Sequence, residues 1–405
     1  MKNLDNQIEL ILEKELSRQK NSAVLIASEN YASKKVRNYS NTIFTNKYAE
    51  GYPGARYYAG CENADEVENL AISRGKKLFS SDHINVQPHS GSQANMAAYI
   101  SLLKPGDKIL SLSLDHGGHL SHGHNVNFSG KIYDIHNYYL NEESELLDFD
   151  HINEIAEKNK PKLIICGYSA YSRVIDFKKF KQIAENVNSL LLADIAHISG
   201  LVASGLHPTP VGIADIITST THKTLRGPRG GLAIVREDLS NKYDRGVFPA
   251  VQGGPLMNTI LAKAVAFKEA LSQDFINYSK KIIENAKTLE NLFISRGLRL
   301  VSGGTDNHLM LIDTRSIGIN GSEAENKLSD AGIIVNKNAI PFDPEPPKVT
   351  SGIRIGTPAI TSREISNEDL LSIGNIIVDS LISSSKKSGT YRQEVEKIMN
   401  KLPLP

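Results

Sequence analysis

From about residue 82 onward, short apolar runs at Ile84–Val86, Ile109–Leu114, Leu163–Gly167 and Leu190–Ala193 alternate with helix-period stretches at Ala94–Leu103 and Phe177–Val187. Strands that alternate with helices predict an α/β fold whose sheet is largely parallel and covered on both faces. Two further apolar runs, Ile213–Ile217 and Leu232–Val235, bracket a polar, glycine-rich turn, TSTTHKTLRGPRGG (218–231), which holds Lys223 at a strand's end. Upstream, residues 5–19 place Ile8, Leu12 and Leu16 on one helical face, predicting an amphipathic arm that packs on the body or on a second subunit. The tyrosine-rich stretch 45–62, TNKYAEGYPGARYYAGCE, has neither period and reads as a functional segment or a surface loop. After Gly254 comes a helical block over 256–295. Short strands follow at 298–301, 308–312, 333–335 and 353–355, with helices near 322–331 and 366–383, the latter opened by Ser366 and Asp369 as a capping pair. These shifts divide the chain into a helical arm (1–20), a large domain (21–272) and a smaller α+β domain (273–405).

Composition narrows the class. The 405 residues are 40% hydrophobic and 22% charged, as in soluble globular proteins. The 46 basic and 45 acidic residues nearly cancel, so bulk charge draws the chain to neither nucleic acid nor membrane. Cys61 and Cys166 are isolated, which excludes a disulfide framework or a cysteine zinc site and fits a reducing compartment. Charges interrupt the apolar positions of the first twenty residues, and no run of eighteen apolar residues occurs. The expected location is the cytoplasm, and no metal is expected.

Four constellations could carry chemistry. In VQPHSGSQAN (86–95), an apolar run gives way to Ser90, Gly91 and Ser92 and then to a helix start, which presents N–H groups and hydroxyls to an anion or is simply an N-cap turn. In DHGGHLSHGH (115–124) the histidines could bind metal, line a surface loop, or stack a ring on a flat cofactor. Asp194, three residues before His197 at the end of LLLAD, is either a turn acid or a carboxylate for a pyridinium nitrogen at the carboxyl edge of the sheet. Arg354 lies in the alternating segment Ile353–Ile355, which buries it against an internal acid or a substrate carboxylate. Lys223 is either a surface lysine or a Schiff-base lysine. A phosphate cup, a stacking histidine, an acid for a ring nitrogen, a lysine for an aldehyde and an arginine for a carboxylate together fit pyridoxal phosphate plus an amino acid.

LIASENY (25–31), TNKYAEGYPGARYY (45–58), VQPHSGSQAN (86–95), HGGHLSHG (116–123), NFSGK (127–131), STTHKTLRGPRGG (219–231), QGGPL (252–256), SGGTDNHL (302–309) and TSGIRIGTPA (350–359) resemble serine hydroxymethyltransferase over nearly the whole chain. The resemblance implies a fold-type I pyridoxal-phosphate transferase, with a mostly parallel seven-stranded-type sheet and a smaller C-terminal domain. It also implies a homodimer, possibly a tetramer, with shared active sites. By the same resemblance Lys223 holds the cofactor aldehyde, Asp194 the ring nitrogen, and His119 stacks on the ring. His197 and Ser169 lie near the ring hydroxyl. Ser90, Gly91, Ser92 and His222 bind phosphate, with Gly253, Gly254 and Tyr48 coming from a partner. Ser28, Tyr58 and Arg354 orient the substrate carboxylate. Glu50, shielded by Tyr48 and Tyr58, moves protons. Glu50, Leu114, Gly118, His119 and Leu120 contact tetrahydrofolate, the co-substrate.

The implied reaction interconverts serine plus tetrahydrofolate with glycine plus 5,10-methylenetetrahydrofolate, without nucleic acid or membrane. The alternative is a folate-independent aldolase acting on β-hydroxy amino acids such as threonine. Against the family's usual pattern, Pro346-Pro347-Lys348 stands where Ser-Pro-Phe is usual, Ala250 replaces a glycine, and His124 and Asn125 follow the histidine loop. None of these departures touches Lys223, Asp194 or Arg354. The folate side is where they bear.

Overall fold

The computed structural model describes residues 5–382 and 388–405. The first four residues of the expected arm and the last of the helix expected over 366–383 lie outside them. Two compact units emerge: residues 32–280, and residues 1–31 together with 281–405.

The unit 32–280 is built on a seven-stranded sheet. In chain order its strands are β1 (Ile84–Asn85), β2 (Lys108–Leu112), β3 (Asp134–Tyr138), β4 (Leu163–Cys166), β5 (Leu190–Asp194), β6 (Ile216–Thr220) and β7 (Gly231–Val235). Their spatial order is β1-β7-β6-β5-β4-β2-β3. The run from β6 to β3 is parallel, and β7 lies antiparallel between β6 and β1. The apolar runs predicted as strands are strands. β3, with only Tyr138 fully buried, is a half-exposed edge whose polar His136 and Asn137 hide it from an apolar scan.

The core of this unit lies between the sheet and its helices. Tyr99 and Ala97 of helix Gly91–Leu102 pack on Ile109, Leu163, Ile165, Leu192, Ile216 and Val235. Toward its end β6 exchanges apolar residues for Thr218, Ser219 and Thr220, all buried. Buried hydroxyls need partners, and these donate to Asn95 Oδ1 on helix Gly91–Leu102, to the Thr220 carbonyl of the same strand and to the Ala196 carbonyl just beyond β5. β5 and β6 pair so that Asp194 lies opposite Thr218. The helical block expected over 256–295 is two helices, Met257–Ala270 and Gln273–Ser295, and the boundary between units falls inside the second.

In the other unit, segments 299–300, 309–313, 352–356 and 336–338 form a four-stranded antiparallel sheet, in that order. Residues 23–24 pair in parallel with 333–334. Arg363, fully buried, donates to the carbonyls of Gln19, Lys20, Met399, Leu402 and Pro403. That ladder and that arginine explain why the first 31 residues group with the C-terminal part, although the sequence pattern sets a break at 20/21 and a second at 272/273. The helix Asn6–Asn21, capped by Asp5, leaves Ile8, Leu12 and Leu16 55%, 62% and 57% exposed. Ser366 and Asp369 bond as the capping pair predicts.

One close approach fixes the ligand-facing end of β5. Gly167, just beyond β4, has φ +106°, and a Cβ there would lie 1.9 Å from the Asp194 carbonyl oxygen. Gly167→Ala is therefore expected to cost about 1–3 kcal/mol through strain and overpacking. Thermal unfolding of the cofactor-free chain measures it; an unchanged midpoint would mean that the two strand ends are free to separate.

Candidate active site

Helix Gly91–Leu102 begins where β1 ends, and Ser90 caps it by accepting the Gln93 N–H at 3.2 Å. Its free N–H groups and dipole make the 90–92 turn an anion cup. A side chain at Gly91 would meet the Thr220 methyl at 2.7 Å, so the cup lies against the end of β6. Two residues further on is His222, whose Nδ1 is buried without a hydrogen-bond partner among the described residues. Burial, with Arg229 and Lys223 nearby, pushes the His222 imidazole down to about 3.

Lys223 follows in the loop between β6 and β7 and is nine-tenths buried. The loop is held by its own bonds: Thr221 Oγ1 to the Pro228 carbonyl, the Gly227 N–H to the Thr221 carbonyl, and the Arg226 N–H to the Lys223 carbonyl. Arg226 takes φ +61° and lays its guanidinium 4.8 Å from the Tyr278 ring. Thr224 donates to the His197 carbonyl and accepts the Gly200 N–H, so the segment after β5 is stapled to the lysine loop. A lysine fixed in this way is not a solvated surface charge.

Asp194 sits one strand over. Its Oδ2 accepts His122 Nε2 and Asn95 Nδ2, both at 2.9 Å, and its Oδ1 accepts the Ala196 N–H at 3.0 Å. Burial raises its pKa, but the His122 bond, the neighbouring His122 and His119 imidazoles and the Asn95 bond outweigh it and hold the carboxyl well below the usual carboxylate range. Asn95 is itself aimed: its Oδ1 accepts Thr218 Oγ1 at 2.6 Å, and its Nδ2 also reaches Ser121 Oγ at 2.9 Å. Ser121 passes the orientation on. Its N–H donates to His119 Nδ1 at 3.1 Å and its hydroxyl lies 2.7 Å from the same atom, which leaves the proton on Nε2. The His119 and His122 rings are 5.5 Å apart.

The histidine run is therefore divided among tasks. His119 is held by Ser121, His122 bonds Asp194, and buried His116 accepts the Leu140 N–H. Among the described residues no group of His, Cys, Asp or Glu is arranged to hold a metal. Leu114, His119, His122, His124 and Asn125 share a cavity of about 250 Å³. Gly118 is tied to this place, since a Cβ would lie 2.3 Å from the Leu112 carbonyl oxygen. Leu120 is exposed. The Ser169 N–H donates to the Gly117 carbonyl at 2.8 Å. Asn95 is not singled out in the sequence, and His122 stands out there only through its metal-like spacing with His116 and His119; the signal for Asn95 is a polar residue one helical turn past the cup.

A second cluster gathers Tyr48, Glu50, Tyr58 and the Gly253–Gly254 pair. Tyr48 Oη donates to Glu50 Oε1 at 3.3 Å, the Tyr48 and Tyr58 rings meet edge-on at 5.2 Å, and Glu50 pushes the Tyr58 hydroxyl pKa up. A Cβ on Gly253 would lie 2.9 Å from Glu50 Oε1, and one on Gly254 would lie 3.2 Å from the Tyr48 ring. Tyr48 and Tyr58 are 55% and 48% exposed, so the shielding expected of them around Glu50 is not provided within one chain. Behind this cluster Arg56 donates to Asp65, Glu68 and the carbonyls of Ala49 and Gly51.

In the other unit, Arg354 is buried on segment 352–356, opposite Leu311 and Asn336, and its Nε donates to Asn336 Oδ1 at 3.3 Å. Burial pushes the guanidinium down to about 10. Ser28 follows Ala27, which abuts Gly356 so closely that a Cβ there would lie 2.3 Å from the Ala27 Cα. The two residues thus stand on adjoining segments.

A buried lysine, a carboxylate held ionised, an anion cup and an orphaned imidazole nitrogen beside it fit an aldehyde cofactor with a ring nitrogen and a phosphate. The depressed His222 pKa gives a pH prediction. The unfolded chain takes up this proton near the ordinary value of 6.5 and the folded chain only near 3, so the contribution to stability is intact above 6.5 and shrinks as pH falls toward 3. Nitrogen-15 NMR of the cofactor-free chain, with His222→Gln for assignment, should find the imidazole neutral at pH 5 and its midpoint raised by inorganic phosphate. A midpoint near 6.5 without phosphate would refute the burial argument.

The family model described as serine hydroxymethyltransferase matches residues 1–377. A serine hydroxymethyltransferase from Nostoc sp. (strain PCC 7120 / SAG 25.82 / UTEX 2576) is 52% identical over 405 residues, covering 99% of this chain and 95% of that protein. With identity of that order over the whole length, the chain belongs to the serine hydroxymethyltransferase family.

Proposed function

We propose that this chain transfers the hydroxymethyl group of serine to tetrahydrofolate, giving glycine and 5,10-methylenetetrahydrofolate, and runs the reverse reaction, with pyridoxal 5'-phosphate as cofactor. The observation that carries the reading is the buried Lys223 one strand from an Asp194 whose carboxylate is held ionised by Asn95 and His122. When bound, pyridoxal phosphate supplies an aldehyde for an amine and an electron sink that loosens the bonds at an amino acid's Cα.

The residues of the chain have separable tasks in this reading. Lys223 anchors the aldehyde and gives way to the substrate amine. Asp194 stays anionic and keeps a proton on the ring nitrogen, while the fixed His119 ring covers one ring face and His197 and Ser169 serve the ring hydroxyl. Ser90, Gly91, Ser92 and His222 hold the phosphate. Arg354, with Ser28 and Tyr58, orients the substrate carboxylate through a two-pronged bond. Glu50, with Tyr48 beside it, takes and returns the proton of the substrate hydroxyl. Leu114, Gly118 and Leu120 serve the folate.

The scheme calls for a second copy of the chain. Tyr48, Tyr58, Glu50, Gly253 and Gly254 cluster together, and half the area of both tyrosines is open to solvent. A homodimer in which this cluster completes the partner's site would cover them. The cytoplasm is the proposed location, in line with two unpaired cysteines and with no described helix long and apolar enough to cross a membrane.

The decisive measurement is serine cleavage with and without tetrahydrofolate. Strong stimulation is expected; equal rates, with threonine cleaved well, would favour the folate-independent aldolase. Arg354→Ala should raise KM for serine by about 100-fold, the loss expected for a charge-assisted two-pronged contact, with a smaller change in kcat. An unchanged KM would move the carboxylate site elsewhere.

A further inference from the structure

An anion cup is a problem of carbonyls as much as of N–H groups. Each residue of a loop carries one of each, and a carbonyl turned toward a phosphate repels it. In the segment leading into the cup the carbonyls are turned inward and occupied. The Gln87 carbonyl accepts Gln252 Nε2 at 2.8 Å, the Ser90 carbonyl accepts the Ala94 N–H at 3.0 Å, and the Pro88 carbonyl accepts the Gly231 N–H at 3.0 Å.

The remaining hold is a buried lysine, whose amine is pushed down to about 7 by burial. Lys263, 1% exposed on helix Met257–Ala270, donates from Nζ to the carbonyls of Val86, Pro88 and Gly231 at 2.6, 3.1 and 2.7 Å. Three acceptors match the three N–H bonds of an ammonium group, so Lys263 has no donor left for a ligand. The double glycine that ends the lysine loop makes room for it. A Cβ at Gly230 would lie 2.6 Å from Lys263 Cε, and one at Gly231 would lie 2.3 Å from the Ser90 carbonyl oxygen.

We infer that Lys263 is a positioning residue for the phosphate: by claiming the carbonyls of Val86, Pro88 and Gly231 from behind, it keeps the 90–92 turn facing outward as donors. A lysine that only fastened β1 to β7 would matter equally for any ligand of the pocket. A lysine that serves the cup matters for the phosphate and little for the ring. The inference rests on the cofactor reading above.

The test uses the full-length chain stripped of cofactor and titrated with pyridoxal phosphate and, separately, with pyridoxal, which has the aldehyde and ring but no phosphate. In Lys263→Met, affinity for pyridoxal phosphate should fall about 10- to 100-fold, the weight of a charge-assisted hydrogen-bond set, while affinity for pyridoxal changes less than about threefold. Lys263→Arg should restore part of the difference. If Lys263→Met does not fold, Gly230→Ala, which pushes against the lysine stem, should narrow the same preference. Equal losses for both compounds, or none, would overturn the inference. A wild-type chain that takes up neither compound would overturn the cofactor reading and this inference together. A phosphate preference that both variants share with wild type would overturn the inference alone.

Discussion

A carboxylate held in the ionised state at the end of a buried strand organises the large unit. Taking an isolated carboxylate out of water costs several kcal/mol unless hydrogen bonds replace the lost hydration. Asp194 recovers that loss from donors on different elements: His122 from the loop after β2, Asn95 from the helix after β1, and the Ala196 N–H from its own turn. These donors converge only if β5 lies between β4 and β6, and if β7, antiparallel, joins β6 to the β1 edge from which the Asn95 helix departs. The strand order and the electrostatics of the site are therefore one constraint. Thr218, opposite Asp194 in the β5–β6 register, ties them by orienting Asn95.

From that carboxylate a single chain of bonds reaches the candidate stacking ring. Asn95 spans Asp194 and Ser121, and Ser121 in turn fixes the Nδ1 side of His119. Such a chain does more than add contacts: it sets a tautomer, so that the group facing a ligand ring presents a defined edge. Because Ser121, Asn95 and Thr218 are all fully buried, none of them can trade its partner for water. Rigidity here is a consequence of satisfied burial rather than of tight apolar packing.

The apolar pattern made most of this architecture legible. Short runs such as Leu163–Cys166 and Leu190–Asp194 have no reason to be that apolar unless buried on both faces, and they became adjacent parallel strands. β3 was hidden because an edge strand need not be apolar, and residues 23–24 because two residues carry no period. Taken singly, Lys223, Asp194, His119 and Arg354 each have a bland reading; they stood out because one ligand set, an aldehyde cofactor with a phosphate plus an amino acid, suits them together. Asn95 and Lys263 did not, and His122 did so only in a metal-like spacing with His116 and His119. Their importance lies in partners far away in sequence, such as Asn95 with Asp194 or Lys263 with Val86, and a pairing set by strand order leaves no local spacing to detect.

The same reasoning separates two kinds of functional residue. Lys223 and Asp194 are locked in place, as the tasks proposed for them, anchoring an aldehyde and holding a charge, would require of a site with a fixed dielectric and fixed distances. Glu50 and its tyrosines are tethered loosely by comparison: a 3.3 Å bond from Tyr48, the Tyr57 N–H on the Glu50 carbonyl, an edge-on ring pair, and glycines whose missing side chains leave the carboxylate room. The proton carrier proposed here must be dry while it works, yet admit and release its ligands. Placing it on a loop braced from behind by Arg56, with its face open, lets another surface supply the dryness. The brace is strong where the loop must not move: Arg56 bonds the Gly51 carbonyl, Gln87 bonds the same carbonyl and Glu68, and Gln87 lies in the segment that leads into the anion cup. A displacement of the Glu50 loop is thereby resisted by the framework that shapes the cup, so the exposed cluster gains its geometry from the buried one without sharing its burial.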